Sequence, residues 1–208
     1  MQEFKAIVFD LGGVLLNIDY HRTEQAFIAL GVRQFPELYN QHHSGTLFTD
    51  LETGKIDTST FIEAVKKQSS LPLNDQQILD AWNAMLLDFP LERISLLQRL
   101  ARKYDLYLLS NTNAIHLEAF TKLLQVTANL PSLEHLFRKV YYSHLIGARK
   151  PDLAAYEYVI RENNLEAART LFIDDTPGNI EGAAKAGLQA VLLKPPVTII
   201  ELLMDVRP

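Results

Sequence analysis

Five short apolar runs recur along the chain and predict buried strands. They are rich in valine, isoleucine, leucine and aromatic residues, and they do not alternate cleanly between apolar and polar positions. Strands that are covered on both faces have this pattern, whereas strands with one face in solvent alternate. The predicted strands cover residues 5–10, 105–110, 139–143, 170–174 and 189–193.

Segments with apolar residues at helical spacing separate these runs. Leu91, Ile94, Leu97 and Leu100 precede the second run, and Pro177 stands just after the fourth, where a first helical turn tolerates proline. Strands that alternate with helices predict an α/β fold, here a doubly wound, mainly parallel five-stranded sheet. In such folds the functional site lies at the carboxyl ends of the strands.

The segment from residue 19 to residue 88 interrupts this alternation. It shows no strand pattern but has amphipathic helical patterns at 22–30, 36–44, 58–69 and 74–87. An all-helical block that follows the first strand directly is best interpreted as a lid over the site. We therefore expect two domains: an α/β core made of residues 1–18 and 89–208, and a helical cap made of residues 19–88.

Composition narrows the class of protein further. The 208 residues are 48% hydrophobic and 22% charged, with a net charge of −5 and no cysteine. This balance gives no reason to expect nucleic acid or a membrane surface as a partner. Without a secretory signal or an apolar run of membrane-spanning length, the sequence predicts a cytoplasmic protein. It carries no indication of the oligomeric state.

Carboxylates end the first and the fourth apolar run. Asp10 precedes a Gly12-Gly13 turn, and Asp174 and Asp175 close the fourth run. Acids at the ends of buried strands are costly unless a cation is near, and adjacent carboxylates repel each other. Since Mg²⁺ prefers oxygen ligands, we expect a site made of Asp10, one or both of the paired acids and the Gly12 carbonyl. Taken singly, Asp10 and Asp175 also fit capping roles in turns and helices.

Two further segments supply groups suited to phosphate. Ser110-Asn111 closes the second predicted strand, and a hydroxyl beside successive main-chain amides can cradle an anion. Lys150, which precedes Pro151, could neutralise both a transferring phosphoryl group and the Asp10 carboxylate, which can attack phosphorus as a nucleophile. Alone, these segments fit an ordinary capping turn and a solvated loop.

The four segments occur in the order and spacing of the haloacid dehalogenase-like hydrolase superfamily, which the chain resembles. They are Asp10–Val14, Ser110-Asn111, Lys150-Pro151 and Asp174-Asp175. With its helical insertion, the chain is most similar to bacterial sugar-phosphate phosphatases of the glucose-1-phosphate phosphatase branch. The resemblance implies a Mg²⁺-dependent phosphatase that hydrolyses a small-metabolite phosphomonoester through an aspartyl-phosphate. It makes Asp10 the nucleophile, makes Ser110 and Lys150 phosphate ligands, and favours Asp175 over Asp174 as the direct metal ligand.

One position departs from the pattern of the superfamily. Its phosphatases usually carry a second aspartate two residues after the nucleophile, which protonates the leaving group, and here that position is Gly12. General acid catalysis contributes roughly 10²–10⁴-fold in rate. Three explanations are open: a leaving group that needs little protonation, a substitute acid such as Asp19 or His21, or a catalytically poor protein.

Two other functions also fit parts of the sequence. A metal-free 2-haloacid dehalogenase would use Asp10 against carbon, although the Asp174-Asp175 pair would then repel the carboxylate substrate. A non-catalytic protein that binds phosphate and metal would explain Gly12. Residues of the predicted lid with side chains suited to substrate contact are His42, His43, Glu52 and Lys55.

Overall fold

The computed structural model describes residues 4–40 and 43–203. The strands in chain order are β1 (Ala6–Phe9), β2 (Tyr39–Asn40), β3 (His43–Ser44), β4 (Asp105–Ser110), β5 (Lys139–Tyr142), β6 (Thr170–Asp174) and β7 (Gln189–Leu192). The helices are α1 (Tyr20–Ala29), α2 (Phe35–Leu38), α3 (Thr46–Glu52), α4 (Thr58–Gln68), α5 (Asp75–Asn83), α6 (Leu91–Leu100), α7 (Ala114–Ala128), α8 (Ser143–Ile146), α9 (Leu153–Glu162), α10 (Pro177–Lys185) and α11 (Ile199–Leu202).

The predicted parallel sheet is confirmed. Its five strands lie in the order β5-β4-β1-β6-β7, and every neighbouring pair is parallel. The first strand is central, and Phe9 is in register with Leu108 of β4 and Ile173 of β6. Because the three strands run in the same direction, the residues that follow these positions meet at one edge of the sheet.

Both faces of the sheet are covered, which explains the unbroken apolar runs in the sequence. Alternate side chains of a strand point to opposite faces. On β1, Ile7 and Phe9 join an apolar cluster that includes residues of α6, α7 and α11. Ala6 and Val8 join a cluster on the other face with residues of α9 and α10.

Helices α1 to α5 pack around a separate aromatic cluster. Trp82 of α5 is fully buried there, and its ring contacts the rings of Phe35, Phe48 and Phe61. The cluster also includes Ile115 of α7, so helices α1 to α5 pack against the helix that follows β4 in the chain.

The prediction of an all-helical segment is partly wrong. The segments predicted at 22–30, 58–69 and 74–87 form α1, α4 and α5, but residues 36–44 do not form one helix. Instead, the single turn α2 leads into the antiparallel pair of β2 and β3. Tyr39 has an extended backbone, and its buried ring lies 4.8 Å from the Trp82 ring. Burial of this ring in the aromatic cluster outweighs the local helical pattern.

Within the described residues, each helix is too short or too polar to cross a lipid bilayer.

Helix α10 lies so close to the loop after Lys150 that a side chain does not fit between them. A Cβ atom on Gly182 would lie 2.5 Å from the main-chain oxygen of Pro151 and 2.8 Å from the Tyr156 ring, whereas one on Gly178 would have no neighbour within 4 Å. We expect Gly182→Ala to lower the free energy of unfolding by about 1–3 kcal/mol because the packed backbone has to move. Denaturant titration measures this change.

Gly178→Ala is the matched control in the same helix. We expect it to leave stability unchanged or to raise it by up to about 1 kcal/mol through helix propensity. Equal effects of the two substitutions would contradict this account of the packing.

Candidate active site

The structure brings together the three acids that the sequence singled out. Asp10 follows β1, while Asp174 ends β6 and Asp175 follows it. One carboxylate oxygen of each lies within 4.8 Å of the others. The parallel sheet causes this meeting, since β1 and β6 are neighbours in register and end at the same edge.

Lys150 lies between two of these acids. Its Nζ atom is 2.6 Å from Asp10 Oδ1 and 2.6 Å from Asp174 Oδ2, and the residue is only 1% exposed. Burial opposes the charge of the lysine, but attraction to Asp10 and Asp174 outweighs it and raises the pKa of Lys150. The lysine is therefore a fixed cation in the site.

One lysine does not balance three carboxylates. Burial raises the pKa of Asp10, and although Lys150 lowers it, repulsion from Asp174 and Asp175 adds to the rise. Burial, and then repulsion from Asp174, also raises the pKa of Asp175. A divalent cation at this position would favour the charged form of both acids.

The adjacent acids Asp174 and Asp175 have different surroundings. Asp174 is fully buried; its Oδ1 accepts hydrogen bonds from the Thr176 main-chain N–H (2.8 Å) and Asn179 Nδ2 (3.0 Å), and its Oδ2 binds Lys150. Asp175, in contrast, lines a cavity together with Asp10. Asp174 thus holds the lysine inside the protein, while Asp10 and Asp175 line the cavity.

The Gly12-Gly13 turn allows Asp175 to approach. Gly13 has a φ of +71°, and a Cβ atom there would collide with the Asp175 carboxylate. Glycine is needed at this position both for its backbone conformation and for space. Gly12 lines the cavity, which leaves its predicted role as a metal ligand open to test.

Ser110 and Asn111 lie at the end of β4, beside the acids. Both line the cavity, and Ser110 is 3% exposed. The side chain of Asn111 has a role that the sequence did not predict: its Oδ1 accepts from the Lys150 main-chain N–H at 2.9 Å, and its Nδ2 donates to the Lys150 carbonyl at 2.8 Å. This pair of bonds fixes the backbone of the lysine, so the predicted phosphate contact of Asn111 rests on its main-chain N–H.

The two residues proposed as substitute acids do not reach the cavity. Asp19 caps α1 by accepting from the His21 main-chain N–H at 3.0 Å, and the His21 side chain is 70% exposed. Tyr20, which stands between them, does line the cavity. The sequence contained no signal that distinguished Tyr20 from its neighbours.

A cavity of about 410 Å³ extends from these groups toward helices α1 to α5. Tyr39 and Glu52 line it from that side, and Arg149 and His116 also contribute. Of the other predicted lid contacts, Lys55 lies outside the cavity and pairs with Asp50 at 3.5 Å. His42 lies outside the described residues, as does the side chain of His43.

Comparisons with known proteins agree with this geometry. A family of haloacid dehalogenase-like hydrolases matches residues 4–187. Over 185 residues, 89% of each chain, the protein is 28% identical to D-ribitol-5-phosphate phosphatase of Bacteroides thetaiotaomicron. It is 27% identical to Phosphatase MT3486 of Mycobacterium tuberculosis over 193 residues, which are 90% of this chain and 86% of that protein.

A solved structure is similar over nearly the whole length. It is a mutant of the HAD family enzyme bt-2542 from Bacteroides thetaiotaomicron, in complex with magnesium and inorganic phosphate. It matches with a TM-score of 0.91 and 30% sequence identity, and the match covers 99% of this chain and 100% of that chain. The chain belongs to the haloacid dehalogenase-like hydrolase family.

His116 makes the stability of the protein sensitive to acid. Its ring stacks on Trp82 with 4.7 Å between the ring centres, and burial lowers its pKa to about 3. The unfolded chain binds a proton at this histidine below about pH 6.5, whereas the folded chain does not until about pH 3. The free energy of unfolding is therefore unaffected by His116 above pH 6.5 and decreases as the pH falls from 6.5 toward 3.

We expect His116→Phe to reduce the loss of unfolding free energy between pH 7 and pH 5 by up to about 2 kcal/mol. Denaturant titrations at pH 5, 6 and 7 measure it. Identical slopes for wild type and His116→Phe would contradict the assignment.

Proposed function

We propose that the protein is a Mg²⁺-dependent phosphatase that hydrolyses a small phosphomonoester, a sugar or polyol phosphate, through an aspartyl-phosphate on Asp10. The observation that carries this proposal is the buried lysine bound at 2.6 Å to Asp10, within a cluster of three acids of which Asp10 and Asp175 line a cavity. The similarity to D-ribitol-5-phosphate phosphatase supports the substrate class.

The donor atoms in the site fit magnesium. Mg²⁺ takes oxygen ligands and is commonly held by one or two carboxylates together with phosphate and water. Asp10 and Asp175 line the cavity and would hold the ion, and Gly12, which also lines it, would add its carbonyl. When bound, the ion offsets negative charge on the phosphoryl oxygens.

Asp10 and Lys150 have different roles in the proposed reaction. A carboxylate oxygen of Asp10 attacks phosphorus, the bond to the leaving oxygen breaks, and water then hydrolyses the acyl phosphate to inorganic phosphate and free Asp10. Lys150 is already fixed against Asp10 and stabilises charge on the phosphoryl group. Gly12 has no proton to give, so the leaving oxygen takes its proton from water or from another group at the cavity.

We also propose that residues 19–88 act as a cap over a core formed by residues 1–18 and 89–208. In support, helices α1 to α5 share their own aromatic cluster. Tyr20, Tyr39 and Glu52 of this segment line the same cavity as Asp10. A cap of this kind selects the leaving group and excludes water from the reacting atoms.

We expect Asp10→Asn to fold and to lose essentially all hydrolysis, because an amide cannot attack phosphorus. Phosphate release from a panel of metabolite phosphates measures this. We expect EDTA to abolish turnover of the wild type and added Mg²⁺ to restore it. Phosphate release that survives chelation would contradict the metal requirement, and halide release from a 2-haloacid in EDTA would favour the metal-free dehalogenase. Hydrolysis by Asp10→Asn would show that Asp10 is not the nucleophile.

The adjacent acids Asp174 and Asp175 should respond differently to loss of charge. We expect Asp175→Asn to raise the Mg²⁺ concentration for half-maximal activity at least about tenfold, while relief of repulsion keeps the metal-free protein as stable as the wild type. Asp174→Asn should lower the free energy of unfolding by about 3 kcal/mol, because it removes a buried partner of Lys150. Metal titration and denaturant titration of both variants measure these effects, and an exchange of the two phenotypes would contradict the assignment.

A further inference from the structure

A second ion pair lies in the wall of the cavity. Glu52, at the end of α3, is 4% exposed, and its Oε2 lies 3.0 Å from Nη2 of Arg149. The Tyr39 hydroxyl donates to Glu52 Oε1 at 3.5 Å. All three residues line the cavity that contains Asp10.

The pair keeps hydrogen-bonding capacity at the cavity. The side chain of Arg149 is 23% exposed and that of Glu52 is 6% exposed, although Glu52 Oε2 and Arg149 Nε themselves are buried. A guanidinium group has five N–H donors and a carboxylate accepts several hydrogen bonds, so the ion pair and the Tyr39 hydroxyl leave donors and acceptors for the hydroxyl groups of a ligand.

The charge of the cavity also favours an uncharged ligand at the pair. The cluster at Asp10 has three acids and one lysine, a formal charge of −2 that one divalent cation balances. The charge of Arg149 is already compensated by Glu52. A carboxylate or second phosphate on the leaving group would therefore meet the glutamate without a free cation to neutralise it.

The position of the pair is fixed by a close contact beside it. Gly54 has a φ of +68°, and a Cβ atom there would collide with the main-chain oxygen of His144 in α8. Tyr20 lies beside the pair: its ring centre is 6.0 Å from that of Tyr39, and it lines the cavity together with Asp10. The pair thus shares one cavity with the reacting group and is formed before any substrate binds.

We propose that the Glu52–Arg149 pair binds hydroxyl groups of the leaving group and selects an uncharged polyhydroxylated one over an anionic one. Tyr39 orients Glu52 through its hydroxyl. This inference rests on the proposed phosphatase function and deepens it, since it assigns the choice of substrate to two residues.

The test compares Glu52→Gln with the wild type on three phosphate esters. D-ribitol 5-phosphate has a neutral polyol leaving group, p-nitrophenyl phosphate has no hydroxyl groups for the pair to bind, and a phosphorylated sugar acid has an anionic one. We expect kcat/KM for D-ribitol 5-phosphate, relative to p-nitrophenyl phosphate, to fall about tenfold, mainly through KM. We expect the ratio for the sugar acid to rise, because Arg149 then has no compensating charge.

A structural defect would lower activity on all three esters alike and would not raise one of them. Equal losses on the three, or unchanged ratios, would overturn the proposal. Lys55→Ala is the matched control, because Lys55 forms an exposed pair with Asp50 near the end of the same helix and does not line the cavity; we expect its ratios to equal those of the wild type.

A binding measurement separates this inference from the proposed function. In an Asp10→Asn background, calorimetry with D-ribitol 5-phosphate and with inorganic phosphate gives a ratio of affinities that does not depend on turnover. We expect Glu52→Gln to lower this ratio about tenfold. A lowered ratio in a protein that hydrolyses no ester would contradict the phosphatase function and support the binding role of the Glu52–Arg149 pair. An unchanged ratio would contradict that binding role, whatever the activity.

Discussion

The rest of the site depends on the ion pairs that the ammonium group of Lys150 forms with Asp10 and Asp174. Three carboxylates at the ends of two neighbouring strands would repel one another strongly in a buried place, yet the fold puts them within 4.8 Å. The lysine contacts Asp10 and Asp174 equally closely. Asp174 is its fully buried partner, while Asp10 and Asp175 line the cavity. The remaining negative charge is what makes the cavity suited to a divalent cation.

Local pattern was sufficient to predict the sheet. The run at 105–110 coincides with β4, and the run at 170–174 coincides with β6, because each is an apolar stretch that ends where its polar residues begin. The meeting of Asp10 with Asp174 followed from topology, since parallel neighbours end at one edge. The prediction of one helix for the segment at 36–44 was wrong because a tertiary contact decides the structure there. Its helical periodicity is real, but the Tyr39 ring is buried against Trp82, a contact that no local pattern encodes.

The sequence predicted the site residues that lie at the ends of strands. The sequence did not indicate Arg149, because its partner Glu52 belongs to a distant helix. Nor did it indicate the bonds of the Asn111 side chain to the backbone of Lys150, and the phosphate contact of Asn111 stays a prediction. Asp19 and His21 were plausible acids by chemistry alone. Successive helical residues point about 100° apart, so of the residues at the start of α1 only Tyr20 is turned to the cavity.

The two hydrogen bonds between the Asn111 side chain and the Lys150 backbone limit the motion of the loop that carries the lysine. Through them, the loop of the lysine is tied to β4, and through the ammonium group it is tied to the ends of β1 and β6. Since these are the three inner strands of the sheet, the loop cannot swing away without disturbing the middle of the protein. Amide hydrogen exchange at Lys150 should therefore be as slow as in the central strands, because the loop opens only when the whole domain unfolds.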